Sequence, residues 1–371
     1  MKLTIVGQDF AAGQGVDYVT AITARMFARI GWDVDVVVSQ VHADYLKEGK
    51  KAFELPVTAK LIYMPSRRSR YNVLFLRKYL RKCKSDYVIA ESVQYAWCIR
   101  LAAIGTRKTK IPKLVEVNHN NVYLLKGVRL LIMRLKYWFL YSKFHSLFFV
   151  NAKSAENFKA MFGFLNKLRL MSVNNPCLDD VFKTKFAHAP RHPWLIDKKC
   201  MTFVSAGAYQ PYKCHMLILK ALCKVRDLGC QVRVIIFGRG PLEPEYRRFI
   251  AENHLDEYVS LGGFTNQLPA EIRASDGFIL STNVETFGIV LVEGLACGVP
   301  CISTDAPFGP REILADGKYG RIVPVNDVDA MAKALIDCIE GNVPVAPSNA
   351  WERYTEDAIM HRYLKGLGLD A

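Results

Sequence analysis

Glu285 and Glu293 stand eight positions apart in ETFGIVLVEG, among Phe287, Ile289, Val290, Leu291 and Val292. Apolar flanks predict burial, and a carboxylate buried without a partner is costly. The surrounding stretch, residues 275–314, reads as a strand at 277–281, a loop, and a helix opening near Phe287 or Gly288. A helix start there leaves the backbone N–H groups of Thr286, Phe287, Gly288 and Ile289 open to an anion. Gly288 lets a ligand come close to the backbone. At about 100° per residue, eight positions bring the two carboxylates within about 80° of each other. One side of the element would then offer an acid to a sugar ring and another to a ribose, with phosphate between. The competing reading makes Glu285 a helix cap and Glu293 a surface residue, and these residues alone leave both open.

Such a site needs elements to position it. Eleven short apolar runs read as strands: 3–7, 34–38, 59–64, 86–90, 113–117, 147–150, 201–205, 232–238, 258–262, 277–281 and 300–304. Helical patterns lie between most of them, and that alternation predicts parallel sheets covered by helices. Eleven strands are many for one such sheet, and at roughly 100–200 residues per domain the length favours two domains. Residues 174–199 hold three prolines and show no period, so they read as a linker. The predicted fold is α/β, with two Rossmann-like β/α/β domains facing across a cleft. The N-terminal domain spans 1–176 and is completed by a C-terminal helix at about 352–371. A linker follows at 177–199, then a second domain at 200–351. The tail reads as one helix, with Trp351, Tyr354, Ala358 and Arg362 at helical spacing.

Other chemistry is scarce. Two DVD triplets, at 33–35 and 327–329, imitate a metal-binding D-x-D. The first lies in a strand and the second starts a helix, where Asp is an expected cap, so no metal is predicted. There is no G-x4-G-K-[ST] and no zinc-spaced Cys/His cluster. The ten cysteines show no C-x-x-C, which suits a reduced interior. No signal peptide is expected from MKLTIVGQDF, and no run approaches the roughly 18 apolar residues of a membrane span.

Together these segments resemble the retaining GT-B glycosyltransferases, in particular glycosyltransferase family 4. Residues 285–293 are similar to that family's E-x7-E region. SAGAYQPYKCHMLILKAL (205–222) resembles its diphosphate-gripping strand–loop–helix, and VIIFGRGPLEPEYRRFI (234–250) its G-x-G-P loop. VSLGGFTNQLPAEIRASDGFILST (259–282) resembles the stretch that receives the base. GQGVDYVTAITARMFARIGWDVDVVV (13–38) resembles the acceptor-side Gly-rich loop, and LVEVNHNN (114–121) the strand ending in an active-site His.

The resemblance implies roles. Glu285 would contact the donor hexose, Lys213 the diphosphate, and His119 the reacting sugar. Taken alone, His119 is more often a structural side chain. Donor binding would involve Gly15, Gly238, Arg239, Phe264, Thr286, Phe287, Gly288, Ile289 and Glu293, the last on the ribose. One departure stands out: the family arginine falls on Ala208, which offers no bidentate phosphate contact. Arg239 and, less so, Arg311 are the substitutes weighed. The first loop also has Gln14 and Gly15 where the family has two glycines. The implied activity is metal-independent transfer, with retention, of a hexose or N-acetylhexosamine. The donor would be a nucleotide sugar, UDP-linked by family habit, serving as co-substrate, with no cofactor. Catalysis would be positioning plus stabilisation of the departing diphosphate.

The charge is lopsided. Residues 1–178 hold 29 Lys+Arg against 11 Asp+Glu, a balance of +18, whereas the rest holds 21 against 24, or −3. That asymmetry points to a polyanionic partner or to a merely basic soluble surface. Residues 66–84, with Arg67, Arg68, Arg77, Lys78, Arg81 and Lys82, read as the better membrane-surface helix. Residues 123–145 also mix cations with aromatics, but packing of that stripe on its own sheet is at least as good a reading. The expected partners are the nucleotide-sugar donor, a lipid-linked glycan acceptor and an anionic inner-membrane surface, without nucleic acid. The expected location is cytoplasmic, peripheral on the inner face of the cell membrane, and the role cell-surface glycan synthesis (lipopolysaccharide, capsule or exopolysaccharide). Rival readings are a sugar-nucleotide-binding relative without activity, suggested by Ala208, a GT-B-fold epimerase, and a nucleic-acid binder.

Overall fold

A computed structural model describes residues 1–7, 15–39, 55–106 and 111–369. They form two compact units, Met1–Pro176 with Glu356–Ala371, and Cys177–Thr355.

The first unit is built on seven parallel strands: β1 (Lys2–Val6), β2 (Asp33–Val38), β3 (Lys60–Tyr63), β4 (Tyr87–Ala90), β5 (Lys113–Asn118), β6 (Phe144–Phe149) and β7 (Arg169–Ser172). Their order is β3-β2-β1-β4-β5-β6-β7. The order reverses between β1 and β4, so the carboxyl ends of those strands form the switch point where such sheets take ligands. The helices are α1 (Gly15–Arg29), α2 (Val73–Lys82), α3 (Val93–Ala102), α4 (Gly127–Tyr141) and α5 (Ala152–Phe162). Central strands are buried on both faces, as in the YVIA run of β4, which reads as continuous apolar sequence.

The second unit has six parallel strands: β8 (Met201–Ala206), β9 (Val232–Phe237), β10 (Val259–Gly263), β11 (Gly277–Leu280), β12 (Cys301–Thr304) and β13 (Arg321–Val323). Their order is β10-β9-β8-β11-β12-β13, with the switch point between β8 and β11. Its helices are α6 (Asp180–Ala187), α7 (Pro193–Ile196), α8 (His215–Asp227), α9 (Glu243–Glu252), α10 (Leu268–Ala274), α11 (Ile289–Ala296), α12 (Gly309–Ile313), α13 (Val328–Ile339) and α14 (Asn349–Glu352). Among the described residues no helix is long and apolar enough to cross a membrane.

Three segments differ from the sequence reading. Residues 177–199 carry helices α6 and α7 and pack on the second unit. Asp179 caps α6 by accepting from the Phe182 N–H at 2.7 Å, and Glu271 accepts from the Arg191 N–H at 3.1 Å. The prolines there flank and start helices. The tail is two helices, because Tyr354 is fully buried in the second unit before the last helix, α15 (Glu356–Leu367), begins. That helix lies on the first sheet, where Gly366 lets it come close: a Cβ there would stand 2.4 Å from the Phe148 ring. The third is the first basic stretch. Helix α2 buries Leu76 and Leu80 and packs Val73, Phe75 and Tyr79 against the core. Its apolar face is thus used internally, leaving Leu74 exposed beside the cations.

Candidate functional site

In the second unit the chain leaves β8 through residues 207–210 and returns to helix at α8. Backbone bonds stitch three loops together at the sheet's carboxyl edge. The Gly207 N–H donates to Phe237 O at 2.9 Å, Tyr209 N–H to Arg239 O at 3.0 Å, and Gly238 N–H to Gly263 O at 2.8 Å. Gly238 has φ +153°, and a Cβ there would lie 1.9 Å from Gly207 O, so only glycine fits. This stitching gathers Ala208, Arg239 and Phe264 at one edge. All three are exposed, Phe264 at 64%.

Across the switch point, residues 281–283 hold the loop before α8. The Ser281 hydroxyl donates to Lys213 O at 2.8 Å, Thr282 to Tyr212 O at 2.9 Å, and the Asn283 N–H to Tyr212 O at 2.8 Å. With both backbones fixed, Lys213 Nζ meets Glu285 Oε2 at 2.7 Å. Glu285 is itself placed by a parallel bridge to Phe308. Helix α11 begins only at Ile289, because Gly288 caps it at φ +106°. The angular relation expected between Glu285 and Glu293 therefore does not apply, since Glu285 lies before the helix. The Thr286 N–H points back to Glu285 Oε1 at 3.3 Å. Among the described residues, the N–H groups of Ile289 and Val290 have no backbone acceptor, and they form the open turn of the helix. The Phe287 ring is buried and packs edge-on against Tyr354 at 5.5 Å, so that residue could meet a ligand only through its backbone.

Glu293, one turn into α11, is largely withdrawn from water. Burial pushes its carboxyl up to about 7, with Lys185 pulling it down and Asp179 pushing it up. At neutral pH it is therefore partly protonated and able to donate as well as accept. Arg311 is committed elsewhere, to Asp305 and Asp316. Arg239 makes no ion pair with any described residue.

In the first unit, His119 follows β5 and its Nε2 lies 3.0 Å from Glu91 Oε2. Glu91 follows β4, and its N–H donates to Val6 O at 3.1 Å, which sets the pair at that sheet's switch point. The other Glu91 oxygen, Oε1, is buried without a hydrogen-bond partner among the described residues. The next loop is braced from below. Glu116 accepts from Asn118 Nδ2 at 3.1 Å and from the Tyr141 hydroxyl at 2.9 Å, and Asn118 Oδ1 accepts from the Asn120 N–H at 2.9 Å. Desolvation pushes the Glu116 carboxyl up to about 8, against the lowering effect of Tyr141 and Asn118. Gly15 is exposed and opens α1, while Gln14 and the rest of that loop lie outside the described residues.

Both DVD triplets have structural work. Asp35 pairs with Lys2 at 2.9 Å and accepts from the Tyr79 hydroxyl at 2.8 Å. Asp327 caps α13 through the Ala330 N–H at 2.9 Å. Among the described residues no group of three or more His, Cys, Asp or Glu gathers in a way that could hold a metal.

Two family models cover most of the chain. Residues 13–172 match the model described as Glycosyltransferase Family 4, and residues 189–358 match Glycosyl transferases group 1. The chain belongs to the GT-B glycosyltransferases of the family 4 type.

Similar proteins fall in the same class. A Campylobacter jejuni N-acetylgalactosamine-N,N'-diacetylbacillosaminyl-diphospho-undecaprenol 4-alpha-N-acetylgalactosaminyltransferase is 27% identical over 47% of this chain and 43% of its own length. A Mycolicibacterium smegmatis phosphatidyl-myo-inositol mannosyltransferase is 36% identical over 42% of this chain and 40% of its own. The match thus spans less than half the length of either relative. The crystal structure of Anabaena HepE in complex with UDP superposes with a TM-score of 0.75 at 18% identity, covering 99% of this chain and 100% of that one. At that identity the likeness concerns the GT-B fold.

Within the family 4 frame, sequence reasoning paired Lys213 and Glu285 only as co-residents of a site and overlooked Glu91. The signal for Glu91 was available: an acid directly after the buried strand run DYVIA, as His119 comes directly after LVEVN.

Proposed function

We propose that the protein is a retaining glycosyltransferase that moves a hexose or N-acetylhexosamine from a UDP-sugar to a lipid-linked or polysaccharide acceptor. The pathway is bacterial cell-surface glycan synthesis, and the reaction needs no resident metal or cofactor. The observation that carries this reading is the Lys213–Glu285 pair beside the open first turn of α11. A cation, two free amides and a carboxylate converge there at a sheet switch point, which suits a sugar diphosphate. Glu285 orients the hexose hydroxyls. Lys213 and the Ile289 and Val290 amides take up charge on the departing diphosphate. Arg239, carried on the loop bonded to Tyr209, supplies the cation missing at Ala208. Phe264 offers an exposed ring to the base, and Glu293 meets the ribose. In the first unit, Glu91 orients His119 toward the reacting sugar.

The names of relatives support the substrate class: one acts on a diphospho-undecaprenol-linked glycan and one on phosphatidyl-myo-inositol. Solved neighbours were crystallised with UDP or UDP-glucose. The test is UDP release from a panel of UDP-sugars by the wild-type protein, with and without chelator. Turnover that survives chelation and disappears in Glu285→Ala supports the reading. Turnover confined to donor isomerisation would favour an epimerase instead.

A further inference from the structure

Two residues beyond Lys213, His215 opens helix α8. Its side chain is withdrawn from water, with the residue only 2% exposed. The ring packs edge-on against two buried tyrosines, its centroid 5.6 Å from that of Tyr209 and 5.9 Å from that of Tyr246. The Tyr209 hydroxyl donates in turn to Ile236 O at 2.7 Å, so the imidazole is oriented by packed and hydrogen-bonded neighbours.

Buried polar side chains are ordinarily hydrogen-bonded, and this one is not. Its Nδ1 is buried without a partner among the described residues. Orphaned N–H groups are rarer in protein interiors than under-used acceptors, which places the ring proton on Nε2. Burial, with the Lys213 charge nearby, pushes the imidazole down to about 3, so at neutral pH the ring is an uncharged N–H donor. Nε2 borders the loop that follows β8. It lies 3.5 Å from where a Cβ on Gly207 would stand, and Lys213 Cδ and Cγ lie 3.4 Å and 3.5 Å from the same point. Those are ordinary contact distances, so the space in front of Gly207 admits one atom of methyl size. An anionic oxygen lodged there would lie between the Lys213 stem and an N–H already aimed by its surroundings. Ala208, the next residue, has no side-chain donor to offer it.

We propose that His215 is a further diphosphate-binding residue of the donor site, donating its Nε2–H to a non-bridging phosphate oxygen held in front of Gly207, beside Lys213. It supplies a neutral, directional donor next to Ala208, where Arg239 supplies charge from an exposed loop. The inference rests on the donor reading above, and binding of UDP by the wild type is scored separately from the part His215 plays in it.

The experiment is equilibrium titration of the full chain with UDP and with uridine, alongside NMR of protein labelled at its histidine ring nitrogens. The His215 signals are assigned by their absence in His215→Gln. In the free wild type they should report a proton on Nε2, and that resonance should move on adding UDP and stay on adding uridine. His215→Phe keeps a flat ring against the tyrosines. It should bind UDP about tenfold or more weakly, with uridine affinity within about twofold of wild type. His215→Gln, whose amide N–H can take the place of Nε2–H, should bind UDP within about threefold of wild type. Gly207→Ala fills the same space with a methyl group and should weaken UDP, and not uridine, by about tenfold or more. It decides the matter if His215→Phe fails to fold. A proton on Nδ1, an Nε2 resonance that ignores UDP, or wild-type UDP affinity in His215→Phe or Gly207→Ala overturns the proposal and leaves the donor reading standing. So does an equal loss of UDP and uridine in these variants, the mark of a merely structural role. A wild type that binds no UDP overturns both.

Discussion

Lys213 Nζ and Glu285 Oε2 lie 2.7 Å apart, with the two side chains only 18% and 16% exposed. They come from loops that follow β8 and β11, strands adjacent in space and far apart in sequence. The pair neutralises two charges that would each be costly to hold alone in a half-dry site. In the proposed reading a donor diphosphate would take over Lys213, and the hexose hydroxyls would hydrogen-bond Glu285.

Coupling is the first expected consequence. Lys213→Ala and Glu285→Ala should each lower UDP-sugar turnover by at least about a hundredfold, and the double variant should lose far less than the product. A thermodynamic cycle on kcat/KM checks this. Strictly multiplicative losses would mean that the two groups act on the substrate separately.

Arg239 should carry donor affinity. Its exposed side chain sits on the loop whose carbonyl bonds Tyr209, next to Ala208, whereas Arg311 is held by Asp305 and Asp316. Arg239→Ala should raise the donor KM by roughly ten- to a hundredfold, the size of a lost charge-assisted contact. Ala208→Arg should restore much of it. Donor titrations on the two variants decide the matter.

Glu91 should act through His119. Glu91→Gln keeps the size of the side chain but removes the charge facing the imidazole, so kcat should fall by about tenfold or more with donor KM little changed. A change in the pH profile of kcat, absent from a merely destabilised control, is the accompanying readout. Loss of melting temperature alone would point to a packing role.

Glu116 should make stability pH-dependent. Its carboxyl is pushed from 4.5 to about 8 in the folded chain. Below its ordinary value it is protonated in both states, and nothing is lost. Between there and about 8 the unfolded chain releases its proton while the native one keeps it. Stability from this group therefore falls as pH rises, by up to about 1.4 kcal/mol per unit. Glu116→Gln should flatten that part of the curve in denaturant melts at stepped pH. An identical slope in both proteins would contradict it.

The sequence exposed the β/α alternation because buried parallel strands are continuous apolar runs. It hid β7 and β13, the short edge strands RLMS and RIV, whose half-covered faces carry charge. The E-x7-E carboxylates were legible as types and spacing, and the helix start near Gly288 was read to within a residue, but how that start is fixed was not. It depends on Gly288 taking a positive φ and on the Glu285 bridge to Phe308, a contact across 23 residues. Residues 174–199 looked like linker because their prolines mask two short helices whose caps, Asp179 and His192, are side-chain contacts. The stripe of residues 123–145, which contains α4, was ambiguous for a different reason: Val128, Leu131, Leu135 and Trp138 are exposed while Tyr137, Leu140 and Tyr141 pack inward. A helix apolar on both faces gives no period that says which face is outside, and only the packing of Tyr137 and Tyr141 decides it.

Proton NMR of a UDP-sugar reacting with the wild-type protein and with Glu285→Gln tests the central claim most directly. The wild type should release UDP and give a product whose anomeric centre keeps the donor's configuration, and Glu285→Gln should be slower by at least about a hundredfold. An inverted product, or a Glu285→Gln variant that turns over donor at the wild-type rate, would contradict it.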